Sequence, residues 1–309
     1  MFYTYDDVVR LNNILSNLPS EVSEELRGWG WSKYPLLPPS RTQLPVSEVL
    51  GEFCESLRFV YVRRVLREPG AGVPRLEEGL LIHKVFGEAI STAKSLVLEL
   101  GLRGHKEFRG RFMAALPQKL EELSRTTRLV DRKRLHTIAQ TLWEEAANVY
   151  AAAYSKIAST SFALSADGLV SLVVPVVSEF PIDGSLLGFS SNIRADALLP
   201  PNILVEIKTR GPKHQHEQQL AAYALAFESV YRVPVNHSLT VYVEIDEGGG
   251  LRRRERIVTI SDQLRSEVIE KRDLALKIVD ESFDPGLPVK CDKFCPYLKV
   301  CGVDESRIG

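Results

Sequence analysis

The chain is short of three things, and each shortage excludes a class of protein. It has almost no net charge, with 39 Lys and Arg against 40 Asp and Glu, a formal −1. No global field draws it toward nucleic acid, so any such contact must come from a local basic patch. It has no uninterrupted apolar run near the ~20 residues that span a bilayer. Its start, MFYTYDDVVRLNN, carries acids and no apolar signal-peptide core, so the expected compartment is the cytoplasm. Cysteine is the third scarcity: Cys54 stands alone, and Cys291, Cys295 and Cys301 crowd into CDKFCPYLKVC. In a reducing compartment such a cluster favours metal ligation over disulfides. There is also no internal repeat, no low-complexity tract, and no G-x-x-x-x-G-K phosphate loop that would mark a fused motor.

What is present suits an ordinary folded enzyme or binding protein. With 44% hydrophobic and 26% charged residues over 309 positions, the chain can bury one elaborated domain or two small ones. Residues 1–45 read as irregular (WGW, YP, LLPP) apart from a short helix at 5–16. Segment 46–100 opens with PVSEVLGEFCESLRFVYVRRVL, where Ser47 is the expected N-cap and Cys54 is placed on the helix. The loop EPGAGVP leads to a long helix at 77–100 carrying GLLIH, with Gly79 and His83 one turn apart on one face. A helical insertion of at least two helices fills 101–165. Segment 166–282 is rich in Val, Ile and Leu, and SLVVPVVSEF, SSNIRADALL, NILVEIKTR and HSLTVYVEI read as strands. GGGLRRRERIVTI completes a hairpin. A helix at 215–231 interrupts the strands, one at 261–282 follows them, and 283–309 is the cysteine tail. The order implies an α/β or α+β fold, a mixed sheet flanked by helices with a helical insertion.

The chemistry concentrates in IRADALLPPNILVEIKT (193–209). A turn at Pro200–Asn202 sets Asp196 opposite Glu206, where like charges with Cβ atoms ~5 Å apart are destabilising. Ile203, Val205 and Ile207 form an apolar face, while Leu204, Glu206 and Lys208 share the other. Either solvent or a cation absorbs the repulsion. Carboxylates hold Mg²⁺ or Mn²⁺ through hard oxygens. Such a metal activates water for phosphodiester hydrolysis, and an ammonium orients it or stabilises the oxyanion. An E-x-K alone says little: Asp131-x-Lys133 is a matching decoy in a helical stretch. Gln219 and Tyr223, at i and i+4 of the next helix, either join this patch or pack as an ordinary amide–Tyr pair. KHQHE (213–217) offers a His-x-His pair, a DNA contact or a solvated end. Between 103 and 134 there are ten Lys or Arg against four acids, either a phosphate-contacting face or a solvated one.

The order G-x-x-x-H, Asp, E-x-K, Q-x-x-x-Y resembles the RecB-type branch of the PD-(D/E)xK nuclease superfamily. The matching segments are GLLIH (79–83), RADALL (194–199), VEIKTR (205–210) and QLAAY (219–223), and Glu179 with LLGFSSNIRAD resembles that family's strand leading to its Asp. One Cys upstream and three downstream is similar to the iron–sulfur members, which include CRISPR-associated exonucleases of spacer acquisition and AddB-type repair nucleases. Chain size and the PVSEVLGEFCESLRF opening point to the CRISPR-associated group and its archaeal Csa branch. The resemblance implies a restriction-endonuclease-like core, with His83, Asp196 and Glu206 as metal ligands joined by the Ile207 carbonyl. It makes Lys208 the catalytic lysine and has Gln219 and Tyr223 organise the site and touch DNA. It also implies an iron–sulfur cluster on Cys54, Cys291, Cys295 and Cys301, 4Fe-4S in preference to 2Fe-2S, stapling the two ends of the chain. The C-x3-C-x5-C tail departs from the frequent C-x2-C start, and by spacing alone a tetrahedral zinc site is favoured. The implied activity is metal-dependent exonucleolytic trimming of single-stranded or frayed DNA ends, with CRISPR integrase subunits as partners. Two alternatives are a repair nuclease of the same superfamily and a non-catalytic DNA-binding subunit.

Overall fold

The computed structural model describes residues 1–51, 53–160 and 163–308. Its helices are α1 (Tyr5–Leu15), α2 (Val46–Leu50), α3 (Arg58–Val60), α4 (Pro74–Leu100), α5 (His105–Ala114), α6 (Leu116–Thr126), α7 (Arg132–Ala158), α8 (Ala166–Val173), α9 (His214–Tyr231) and α10 (Asp262–Asp280). Side-chain caps set the starts of α1, α7, α8 and α10. Thr4 and Asp7 form a reciprocal capping box at α1. Pro74 starts α4 three residues earlier than expected, because proline is pre-set for the first turn. Asp131 accepts from the Arg134 N–H and caps α7, so the D-x-K decoy is a helix start.

Two local expectations fail. Cys54 is not on a helix: α2 runs from Val46, with Ser47 inside it, and ends at Gly51 in the left-handed region (φ 64°). Cys54 then lies in a tight loop, its N–H on the Gly51 carbonyl, before α3 starts beyond Leu57. The start of SLVVPVVSEF is also not strand. Ser165 caps α8, which consumes it as far as Val173. A short apolar run does not by itself distinguish a strand from a buried helix end.

The described residues form five strands, β1 (Val177–Ile182), β2 (Ile193–Leu199), β3 (Ile203–Lys208), β4 (His237–Ile245) and β5 (Leu251–Thr259), in spatial order 1-2-3-4-5. Neighbours are antiparallel except β3 and β4, which are parallel and joined through α9. The fold is mixed α/β, with this five-stranded mixed sheet flanked by helices. One core packs α4, α5, α7 and α8 on the face bearing Val205, Ile207, Leu239 and Val241. The other packs α9 and α10 on the face bearing Leu204 and Val258. Cover on both faces buries β4 almost throughout, including its polar His237, Ser238 and Thr240.

The irregular first 45 residues are tied down by two fully buried arginines of α10. Arg265 donates to the Leu26 carbonyl and both oxygens of buried Glu228, which also accepts from Arg27 and the Gly28 N–H. Arg272, seven residues on and so on the same helix face, donates to the carbonyls of Leu36 and Leu187. Among the described residues, no helix is long and apolar enough to cross a membrane.

Candidate active site

The hairpin register is the expected one, but its ladder stops at Ala197↔Val205, one residue short of Asp196. The sheet kinks there. Ala197 and Leu199 belong to the first core, whereas Ile193 and Ala195 belong to the second, although all four alternate in step. On β1, Glu179 sits between the residues paired with Ala197 and Ala195, and it adopts φ 49°. A non-glycine residue at positive φ in a strand is strained, and such kinks re-aim neighbouring side chains. The Asp196 carboxylate is the one re-aimed. Its Oδ2 accepts the Ile207 N–H (2.6 Å), and its Oδ1 meets His83 Nδ1 (2.5 Å).

His83 reaches Asp196 because α4 comes close to the end of β3. A Cβ at Gly79 would lie 3.2 Å from Thr209 Oγ1, so the glycine permits the approach. Glu206 and Lys208 leave β3 on the α9 side. Lys208 Nζ donates to Glu206 Oε1 (3.0 Å) and Gln219 Oε1 (2.6 Å). Gln219 Nε2 donates to the same Glu206 oxygen (2.8 Å) and to Tyr223 OH (2.6 Å). Thus all six side chains expected to act together meet in one patch, drawn from α4, β2, β3 and α9.

Charge in the patch is unevenly satisfied. Glu206 is buried, and its second oxygen, Oε2, has no hydrogen-bond partner among the described residues. Burial pushes its carboxyl up to about 7 and the Asp196 charge adds to this, against the pull of Lys208 and His83. Burial works against a charged His83, but Asp196 beside it and Glu206 behind outweigh that and raise its pKa above the ordinary histidine value. Among the described residues, no three His, Cys, Asp or Glu side chains stand ready to hold a metal ion. His83 and Asp196 are engaged with each other, and Glu206 with Lys208 and Gln219. The bare carboxylate oxygen beside a His–Asp pair nevertheless fits a hard divalent cation in its donor chemistry.

Two open clefts flank the patch. One, of about 640 Å³, contains Ile82 and Thr209, the chain neighbours of His83 and Lys208. The other contains Lys84 and Glu179. The insertion walls both, through Leu129, Val130, Asp131 and Arg134 in the first and Lys119, Glu122, Leu123 and Thr126 in the second. Among the described residues, four of its ten basic side chains pair with carboxylates: Arg111 with Glu99, Lys119 with Glu88 and Glu122, Arg125 with Glu121, and Arg134 with Glu78. KHQHE does not act as a ligand pair. His214 meets Glu267, whereas His216 is buried against Tyr242, and burial first, then nearby cations, pushes its pKa down to about 3.

The cysteines gather from both ends of the chain. Cys54 is buried in the second core, against which Cys295 and Cys301 pack. Arg58 clamps Asp284 (3.0 Å) and Ser56 donates to the Gly286 carbonyl (2.7 Å), tying the Cys54 loop to the tail. Burial pushes the thiols of Cys291, Cys295 and Cys301 up, Cys295 to about 11, and the proximity of Cys54 raises each further. The four cysteines are all free thiols, and among the described residues no three of them stand arranged to hold a metal ion.

The chain matches, over residues 1–304, the family model described as CRISPR-associated exonuclease Csa1. It belongs to that family. It is 35% identical over 302 residues to the CRISPR-associated exonuclease Csa1 of Saccharolobus solfataricus, covering 97% of this chain and 99% of that one. It is 28% identical over 283 residues to the protein of the same name from Thermoproteus tenax, with 92% of each chain covered. The matched span takes in the His83–Tyr223 patch and all four cysteines alike, so both belong to the family's own extent.

One residue that sequence reasoning left without a role joins these two parts. Arg210 follows the E-x-K strand, and its guanidinium lies over the rings of Phe53 (5.0 Å) and Phe294 (5.1 Å). Its Nη1 is 3.9 Å from Asp292, which Lys213 also pairs at 2.9 Å. Phe53, Asp292 and Phe294 are the chain neighbours of Cys54, Cys291 and Cys295. The available signal was the repeated Phe-Cys pair, since an arginine near two aromatic rings gains from cation–π contact.

Proposed function

We propose that this chain is a metal-dependent DNA exonuclease with a PD-(D/E)xK core, trimming DNA ends for CRISPR spacer capture alongside integrase subunits. The observation that carries the reading is the convergence of His83, Asp196, Glu206, Lys208, Gln219 and Tyr223 around a buried carboxylate oxygen without a partner. The relatives' shared name, CRISPR-associated exonuclease, supports the same reading.

His83, Asp196, Glu206 and the Ile207 carbonyl would hold Mg²⁺ or Mn²⁺. When bound, such an ion lowers the pKa of water and offsets charge on a phosphate. Asp196 is held for this by the Ile207 N–H, and in an extended strand the Ile207 carbonyl points to the same edge as that N–H, beside Asp196. Lys208, held by Glu206 and Gln219, presents an ammonium to a non-bridging phosphate oxygen or to the attacking water. Gln219 fixes the lysine and Tyr223 fixes Gln219, so the α9 pair positions and does not itself react. Cys54, Cys291, Cys295 and Cys301 would hold an iron–sulfur cluster that braces the site through Arg210.

The test is cleavage of end-labelled single-stranded DNA by protein purified without oxygen. Product should accumulate in Mg²⁺ or Mn²⁺ and stop in EDTA. Binding without any cleavage under those ions would leave a DNA-binding subunit in its place.

A further inference from the structure

Four cations converge where the start of α4, the end of β3 and the cysteine tail meet. The guanidinium groups of Arg75 and Arg210 lie over the Phe294 ring at 4.9 and 5.1 Å, and Lys293 Nζ lies over the same ring at 5.4 Å. Lys213 completes the group, pairing with Asp292 at 2.9 Å. The loop before α4 is seated on the tail, with the Ala71 N–H on the Pro296 carbonyl (2.9 Å), and this delivers Arg75 to Phe294.

Among the described residues, Asp292 is the one carboxylate that pairs with any of these four. It also accepts the Phe294 N–H (2.8 Å), and its close ion-pair partner is Lys213, since Arg210 stands at 3.9 Å. Arg210 Nη1 and Nη2 are buried without a hydrogen-bond partner among the described residues. Arg75 and Lys293 are exposed and form no ion pair among them. The acids on neighbouring turns are engaged elsewhere: Glu78 with Arg134 (2.5 Å), Glu77 with the amides of residues 128–130, and Glu217 with Arg256 (2.7 Å). Four cations against one carboxylate leave three positive charges in excess. Ring contacts attract these cations without neutralising them, and the excess repels itself until an anion joins it.

The cluster lies beside the catalytic candidates and not on them. Arg210 follows Lys208 by two residues, at most about 7 Å of chain. Arg75 precedes His83 by eight residues of α4, about 12 Å along the helix. A neighbouring phosphate of a strand held at His83–Lys208 falls within that reach. We propose that Arg75 and Lys293, with half-buried Arg210 behind them, form a phosphate site that holds a single DNA strand next to the bond being cut. The proposal deepens the nuclease reading and rests on it for the identity of the strand. Its chemistry is charge complementarity with the phosphodiester backbone, which carries affinity without base sequence. The competing account is a brace, in which the cation–π contacts only fasten the cysteine tail to α4.

Binding of a labelled oligothymidine to the full-length protein in EDTA, followed by fluorescence anisotropy over a KCl series, tests this without cleavage. Arg75→Gln/Lys293→Gln should lower the slope of log K against log salt by about 1.4, at about 0.7 per lost phosphate contact. Lys293→Gln alone, which leaves both arginines on the ring, should lower it by about 0.7 and decides the matter if the pair does not fold. The charge-keeping exchange Arg75→Lys/Lys293→Arg should retain the wild-type slope. Lys33→Gln/Arg41→Gln, which removes the same charge from the exposed N-terminal segment, should retain it too. An unchanged slope in a Gln variant that melts like wild type overturns the site. An equal fall in the Lys33/Arg41 control overturns it as well, by making the effect one of net charge. A fall in the charge-keeping exchange would leave only the brace. If the slopes behave as stated but the wild type never cleaves DNA in Mg²⁺ or Mn²⁺, the phosphate site stands and the nuclease reading fails.

Discussion

Replacing Glu206 by Gln in the metal-free protein separates a charged site from a merely polar one. The folded carboxyl titrates at about 7 against an ordinary 4.5. Within that window the folded chain keeps a proton that the unfolded chain has released, so stability falls as pH rises. At about 1.36 kcal/mol per pH unit, the loss is about 3 kcal/mol by roughly one unit above the folded value. His83 acts in the same direction: its raised pKa gives stability below the ordinary histidine value that is lost as pH passes the folded one. Gln keeps an oxygen for Lys208 and Gln219 but puts a buried amide donor where Oε2 lacks a partner, at a cost of about 1–3 kcal/mol. Glu206→Gln should therefore be less stable than wild type by about 1–3 kcal/mol near pH 5. Near pH 8 it should be equal or better by up to about 2 kcal/mol. Melts in EDTA across that range should show the two curves approach or cross, a relative movement of about 6 °C at about 2 °C per kcal/mol for a chain of this size. Parallel curves would mean that Glu206 is ionised at low cost, and the argument from its burial would be wrong.

Further outcomes follow from neighbouring contacts. Asp196→Asn keeps an oxygen for the Ile207 N–H and removes one of two close negative charges, so in EDTA it should melt within about 1 kcal/mol of wild type. Mn²⁺ should stabilise wild type by RT ln(1 + [L]/Kd) and this variant far less; a large loss in EDTA would make Asp196 a structural carboxylate only. Arg210→Ala should speed hydrogen exchange at both the end of β3 and residues 291–301, with a stability loss of about 1–3 kcal/mol from two cation–π contacts. Exchange confined to either segment would break the proposed link. Anaerobic wild type should carry iron and sulfide, and Cys54→Ala should lose both; stoichiometric zinc without iron would replace the cluster assignment.

What was readable in the sequence was the part that depends on short-range pattern. β3, β4 and α9 follow from alternation and periodicity, and the hairpin register follows from the Pro-Pro-Asn turn. Gly79 and His83 were placed correctly because one helical turn fixes their relation. The misreadings have local causes too: Gly51 takes a left-handed conformation that ends α2 before Cys54, and Ser165 turns an apolar run into a helix. The kink at Glu179 and Asp196 was not legible, since nothing in VSEF announces a positive φ. It arises where two strands must serve two cores. Long-range anchors were equally hidden. Arg265, Arg272 and Arg210 look like ordinary charged residues until the segments they hold, 26–37 and the cysteine tail, are brought beside them.

The central claim is that the patch around Lys208 binds a hard cation and uses the lysine for chemistry. The most direct measurement pairs calorimetric Mn²⁺ titration of EDTA-stripped protein with single-strand cleavage, for wild type and Lys208→Ala. The account predicts Mn²⁺ binding in both, with cleavage at least about 100-fold slower in the variant, the usual loss for one group stabilising developing charge. Undiminished cleavage by Lys208→Ala, or a wild type that neither binds Mn²⁺ nor cuts, would contradict it.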